Sequence, residues 1–153
     1  MANTYTQLYI QFVFAVQNRI SLIKPEWEPQ LHKYITGIVQ NHKHKMIIIN
    51  GMEDHLHLFI GFHTTQSIAD LMQKVKGESS EWINNQKFTR GHFSWQEGYG
   101  GFSYGRSQID RVYKYIENQK KHHSKMSFMQ EYVALLEKFG VQYDKRYIFK
   151  EIE

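Results

Sequence analysis

Residues 53–62 read Glu53-Asp54-His55-Leu56-His57-Leu58-Phe59-Ile60-Gly61-Phe62, and the fold turns on whether this stretch is a helix or a strand. On a helix, residues two apart point roughly 200° from one another, so His55 and His57 would face opposite ways. On a strand they point the same way, about 6.6 Å apart, within reach of one ion. Leu56, Leu58, Ile60 and Phe62 alternate with them, and this period of two predicts a strand whose apolar side enters a core. Just upstream, Lys45 to Ile49 is a β-branched run ending at Asn50-Gly51, a hairpin signal. The two strands are expected to pair antiparallel, with an irregularity around Met52 to Asp54 because more than two residues separate them.

Working outward, Leu8, Ile10, Phe12, Phe14 and Val16 alternate with Tyr9, Gln11, Val13 and Ala15, which predicts a first strand over Leu8 to Val16. Pro25 suits a first helical turn, and apolar residues at helical spacing predict a helix from Pro25 to His42. Ser67 with Asp70 resembles a capping box opening a second amphipathic helix. Phe93 to Tyr104, aromatic and glycine-rich, reads as one or two short strands. Ser107 with Asp110 opens a helix through Gln119 towards Lys121. Ser127 with Gln130 opens a last helix, Phe128 to Phe139, stopped by Gly140. The order β-α-β-β-α-β-α-α in 153 residues predicts one α+β domain, an antiparallel sheet with helices packed on one face. The catalytic core would span about residues 5–121, with a C-terminal helix and tail over 122–153.

Composition narrows the chemistry. A net charge of +4 with pI near 9.2 is compatible with a polyanionic partner. There is no cysteine, which excludes disulfides and thiolate metal sites and fits a reducing, cytoplasmic compartment. No basic leader precedes an apolar block, and no stretch approaches the roughly 18 apolar residues of a membrane span. Nine histidines are available as metal ligands.

His-x-His alone also suits two histidines on the solvated face of an edge strand, so partners are needed. The helix opened by Ser107 has an apolar stripe of Ile109, Val112, Tyr113 and Ile116, with Tyr115 and Gln119 spaced i, i+4 at its margin. A side chain there can look into a cleft beside the sheet, although a packing tyrosine and a solvated amide would show the same spacing. A phenol with a pKa of about 10 is a poor nucleophile unaided. A divalent ion on His55 and His57 would neutralise charge on a phosphate and fix an in-line approach, and the Gln119 amide oxygen, one turn past Tyr115, would complete the ligand set. A phosphotyrosine product conserves the phosphodiester energy, so rejoining needs no nucleotide cofactor, and the chain has no G-x-x-x-x-G-K-[ST] loop. Asp54 reads as a turn or supporting residue, and Tyr113, within the stripe, as core.

Three motifs in order, Glu53-Asp54-His55-Leu56-His57-Leu58-Phe59, Lys76-Gly77-Glu78-Ser79-Ser80 and Tyr115-Ile116-Glu117-Asn118-Gln119, resemble the HUH-type single-tyrosine transposases, the TnpA-type enzymes of small insertion sequences and their REP-associated tyrosine relatives. The resemblance runs over nearly the whole chain from the first strand. It implies a ferredoxin-like fold and Mg²⁺ or Mn²⁺ on His55, His57 and Gln119. It further implies a Tyr115 linkage to a 5′-phosphate, and single-stranded DNA with hairpin ends as partner. A homodimer is implied as well, in which the tyrosine helix can serve either subunit. Many relatives carry Pro-Asn or Pro-Asp where this chain has Glu53-Asp54. Two imidazoles favour Mn²⁺, Zn²⁺ or Ni²⁺ over Mg²⁺.

Lys74, Lys76, Arg106, Lys120 and Lys121 are candidate DNA contacts, although Lys120-Lys121-His122-His123 reads first as a solvated helix end and second as a phosphate contact. His42, His44, His63 and His92 read as surface or loop histidines. Three alternatives stand beside DNA transposition by strand cleavage and rejoining. These are a domesticated relative acting on repeated palindromes, a non-catalytic single-stranded DNA-binding domain of the same fold, and replication-initiator nicking.

Overall fold

In the computed structural model, which describes residues 4–144, His55–Gly61 is a strand, β3, inside a four-stranded antiparallel sheet and not at its edge. Its neighbours are β1 (Tyr9–Ala15) and β2 (Lys45–Met52), and β4 (Gly100–Tyr104) lies on the far side of β1. Helix α1 (Glu28–Asn41) joins β1 to β2, and α2 (Ile68–Gln86) joins β3 to β4. Then follow α3 (Ile109–Glu117), the short α4 (Gln119–His122) and α5 (Phe128–Lys138). The strand order β2-β3-β1-β4 with two helical crossovers is the expected α+β, ferredoxin-like arrangement. No helix among the described residues is long and apolar enough to cross a membrane.

Both faces of the sheet are covered, where helices on one face were expected. Ile10, Phe12, Phe14, Leu56, Leu58 and Ile60 pack with α1 and α2 through Leu31, Ile35, Leu71 and Val75. On the opposite face Val13, Ala15 and Phe102 meet Phe128, Leu135 and Leu136 of α5, and Phe59 meets Val112 and Ile116 of α3. The reason lies in β1, whose second face carries Tyr9, Val13 and Ala15, and in Phe59 of β3 beside the two histidines, so the sheet has apolar side chains to bury on both sides. A fully buried Phe or Leu contributes about 2 kcal/mol, so this second layer holds α3 and α5 firmly over the histidine face.

The Asn50-Gly51 pair is not the hairpin turn. It lies within β2, where Asn50 pairs with His57 and Gly51 with Leu56, and the chain reverses at Glu53-Asp54. The register irregularity falls between Met46 and Ile48, not near Met52. Both residues have other uses. Asn50 Nδ2 donates to the carbonyls of Ile116 and Glu117 at 3.0 and 3.1 Å, satisfying C-terminal acceptors of α3. At Gly51 a Cβ would stand 2.2 Å from the His55 carbonyl oxygen. Gly51→Ala must therefore displace backbone at the start of β3, and a loss of about 3 kcal/mol in chemical denaturation is expected; a change under a few tenths would show that the close approach relaxes freely.

Helix ends follow local chemistry. Ser67 accepts from the Asp70 amide at 3.0 Å, and Ser127 and Gln130 cap α5 reciprocally. The first helix begins later than Pro25, with Pro29 in its opening turn. α3 begins at Ile109 after a tight turn in which Gln108 Oε1, rather than Ser107, accepts from the Gly105 amide. His44 is not a surface residue. It is 4% exposed, stacked on Phe62 and bonded to Gln66.

Candidate metal centre and nucleophile

β3 turns His55 and His57 to the face away from the α1/α2 core, and both are fully buried. His55 Nδ1 donates to Asp54 Oδ1 at 2.7 Å, and its Nε2 meets Gln119 Oε1 at 3.0 Å. Asp54 thus orients the imidazole from behind, the supporting place expected for it. His57 Nε2 lies 2.9 Å from Glu131 Oε1, and its Nδ1 lies 2.9 Å from Gln11 Nε2. Gln11 Oε1 in turn accepts from the Tyr104 hydroxyl at 2.7 Å. With Gln11 donating to Nδ1, the His57 proton sits on Nε2; ligation through Nε2 requires that proton on Nδ1 and the Gln11 amide reversed.

The second half of the site comes from α3, α4 and α5. The helix carrying Tyr115 does not run through to Lys121. It breaks at Asn118 (φ −95°, ψ 20°) and restarts as α4. Gln119 nevertheless arrives fully buried beside His55. Tyr115 is half-buried, its ring centroid 6.1 Å from that of His57 in the same chain. Tyr113, expected in the core, is 38% exposed. The buried arc of α3 is centred on Val112 and Ile116, which puts Tyr113 past one margin and Tyr115 at the other.

Two residues at the centre were missed in the sequence. Glu131, in the first turn of α5, is buried, and its Oε1 is approached by His57 Nε2 and His123 Nε2 at 2.9 Å and by His55 Nε2 at 3.3 Å. Its Oε2 accepts from the Tyr115 hydroxyl and from Gln119 Nε2. A carboxylate in a first helical turn reads as complementing the helix dipole, so nothing local marked Glu131. The His123 side chain, in the basic run Lys120–His123 that suits either a solvated helix end or phosphate contact, is only 5% exposed.

Charge is tightly balanced here. Burial opposes a charge on Glu131, but hydrogen bonds from His123, His55 and His57 hold the carboxyl far below the usual range. Burial likewise opposes a charged His55, but Asp54 and Glu131 overcome it and push the imidazole up to about 9. For His57 burial prevails, and its pKa is lowered. Burial and then the Glu131 charge raise the Tyr115 phenol well above its ordinary value. At rest, therefore, His55 is protonated, Glu131 is ionised and the Tyr115 phenol is un-ionised.

A pH dependence follows. Folded His55 keeps a proton that the unfolded chain releases near its ordinary pKa of about 6.5. That stabilisation is complete below about 6.5 and is lost as pH rises through about 9. The imidazoles with lowered values, His57, His44 and His32, are neutral in both states above 6.5 and drop out of this window. With divalent ions chelated, the unfolding free energy in urea is expected to fall by about 3 kcal/mol between pH 6.5 and 9. A flat or rising profile would remove His55 as the proton carrier.

The donor set suits a divalent cation. One ligand atom each from His55, His57 and Glu131 lies within 4.8 Å of the others, all buried, and Gln119 Oε1 borders the same space. Two imidazoles, a carboxylate and an amide oxygen form a mixed nitrogen–oxygen set with no soft ligand, suited to Mn²⁺, Zn²⁺ or Ni²⁺ and compatible with Mg²⁺. Of the candidate DNA contacts, Lys74, Arg106 and Lys121 are exposed. Lys76 Nζ instead donates to the carbonyls of Gln96 and Gly98 at 2.8 Å, stapling the glycine-rich loop to α2. Lys120 Nζ is held by Glu28, Asn50 and the Gly51 carbonyl, locking α4 to α1 and β2.

A family model described as IS200-like transposase matches residues 4–119. Solved structures that resemble the chain include a candidate transposase from Deinococcus radiodurans R1, 19% identical with a TM-score of 0.63, over 78% of this chain and 95% of that one. Another is a REP-associated tyrosine transposase bound to a REP hairpin, 12% identical with a TM-score of 0.61, over 82% of this chain and 74% of that one. At these identities the likeness is one of fold. No curated protein sequence matches the chain.

Proposed function

The chain belongs to the IS200-like transposase family, and from that premise we propose that it cleaves and rejoins single-stranded DNA through a covalent 5′-phosphotyrosine at Tyr115. The observation that carries this reading is the meeting, within one chain, of the Tyr115 hydroxyl, two strand-borne imidazoles and Gln119 around Glu131.

His55, His57 and Glu131, with Gln119 beside them, would hold Mg²⁺ or Mn²⁺. When bound, the ion supplies charge neutralisation at a non-bridging oxygen of the scissile phosphate. Tyr115 Oη attacks the phosphorus, the P–O3′ bond breaks, and the strand leaves with a 3′-OH while its neighbour stays esterified to the phenol. The Tyr115 hydroxyl already donates to Glu131 Oε2, so Glu131 is the group placed to take the phenolic proton as the ester forms and to return it to the departing 3′ oxygen. Rejoining is the reverse attack by a 3′-OH on the phosphotyrosine, so no nucleotide cofactor is consumed. The two Glu131 oxygens divide the work, Oε1 towards the imidazoles and Oε2 towards the nucleophile. Hairpin-bearing DNA ends are the proposed substrate, and a homodimer is the proposed assembly, although Tyr115 and His57 meet without a second subunit.

Labelled single-stranded DNA from the ends of the protein's own locus, incubated with the protein and Mn²⁺ or Mg²⁺, should give a denaturation-resistant protein–DNA adduct that chelation prevents. No adduct with either ion would count against the nuclease reading.

A further inference from the structure

Beside Tyr115 a cavity of about 680 Å³ opens between α3 and α5, over the β1/β4 end of the sheet. It is continuous with the site, since Tyr115 and Glu131 form part of its wall. Its walls are largely apolar, built by Val112, Met126, Ala134 and Leu135, with the Tyr104 ring in the floor. Four cations, Arg111, Lys121, Lys125 and Lys138, also line it. Among the described residues none of the four is in an ion pair with a carboxylate. Lys138 instead lies over the Tyr104 and Phe139 rings, 5.9 and 5.6 Å from their centroids. The Gln108 and Asn118 amides supply hydrogen-bonding groups.

An apolar slot ringed by unpaired positive charge suits a flat, uncharged ring carried on a polyanionic backbone. Base–aromatic contact plus cationic tracking of phosphates is the general recipe for single-strand binding, and the volume falls within the roughly 300–1,000 Å³ of small-ligand sites. A duplex, whose bases are paired and stacked, has no free base to place there. We propose that this cavity seats one unpaired nucleotide adjoining the phosphate that Tyr115 attacks, its base in the slot and its backbone phosphates against Arg111, Lys121, Lys125 and Lys138. The proposal rests on the nuclease reading for the identity of that phosphate. It gives the protein a direct hold on the cleavage site, separate from any hold on a hairpin.

The test compares binding of a labelled oligothymidylate with that of a fully abasic oligomer of equal length, in wild type, Ala134→Leu and Arg111→Ala. Ala134 is exposed on α5 and outside the catalytic cluster, and leucine fills the slot without offering a ring to stack on. Wild type should favour the thymidylate about tenfold or more. Ala134→Leu, folded by circular dichroism, should lose most of that preference. Arg111→Ala should weaken both oligomers alike and lower the salt slope by about one. Equal wild-type affinities, or an undiminished preference in folded Ala134→Leu, overturn the proposal. The adduct assay on the same wild-type protein separates the two readings. An adduct without base preference overturns the cavity alone, and base preference without an adduct overturns the nuclease alone.

Discussion

Tyr115→Phe should lose the covalent DNA adduct by at least about a thousandfold, while the protein still folds and binds single-stranded DNA. Removing the hydroxyl deletes the attacking oxygen, and no other group in the cluster can form an ester stable to denaturation. Structurally the change is small. The ring keeps its contacts with His57 and His122, and one hydrogen bond to Glu131 is lost, about 1 kcal/mol. Tyr113→Phe is the control, since Tyr113 faces outward and its substitution should leave adduct yield unchanged. Adduct formation that persists in Tyr115→Phe and vanishes in Tyr113→Phe would reassign the nucleophile.

Glu131→Ala should have the largest effect on stability. The carboxylate gathers three imidazoles, the Tyr115 hydroxyl and the Gln119 amide in a buried space, so truncation strands several polar groups together. Breaking one buried pair costs about 3–5 kcal/mol, which in a chain of this size lowers the melting temperature by about 10 °C or more. The sign with pH is definite. The loss should be greatest near pH 6.5, where wild-type His55 is charged, and smaller near pH 9, where that proton has left. Glu131→Gln, which keeps shape without charge, should fall between the two. Calorimetric titration with Mn²⁺ should also show weaker binding, because an oxygen ligand is gone. Unchanged metal affinity would make Glu131 a purely structural counter-charge.

Much of this arrangement was legible in the sequence because it is local. Period two placed Leu56, Leu58 and Ile60 inward and His55 with His57 on the opposite side. The i, i+4 interval linked Tyr115 to Gln119, even though the helix joining them is broken at Asn118. What escaped reading is non-local. Asn50-Gly51 has the composition of a turn, yet α3 crossing β2 recruits the amide as a cap and β3 leaves no room for a Cβ. Glu131 lies 74 residues from His57, and no spacing rule spans that interval. The covering of the second sheet face depends on α5 folding back over Val13, Ala15 and Phe102, which the apolar character of both faces of β1 permits without announcing. Tyr113 falls outside the core because an apolar stripe fixes a helix face only to within one residue on either side.

Tyr115 and both imidazoles meet within one polypeptide, so the proposed nuclease would act as a first-order property of each molecule even when two copies associate. Diluting the protein should lower the yield in simple proportion, with no threshold concentration. Two crippled versions, one lacking the phenol and the other lacking His57, should fail to rescue each other when mixed.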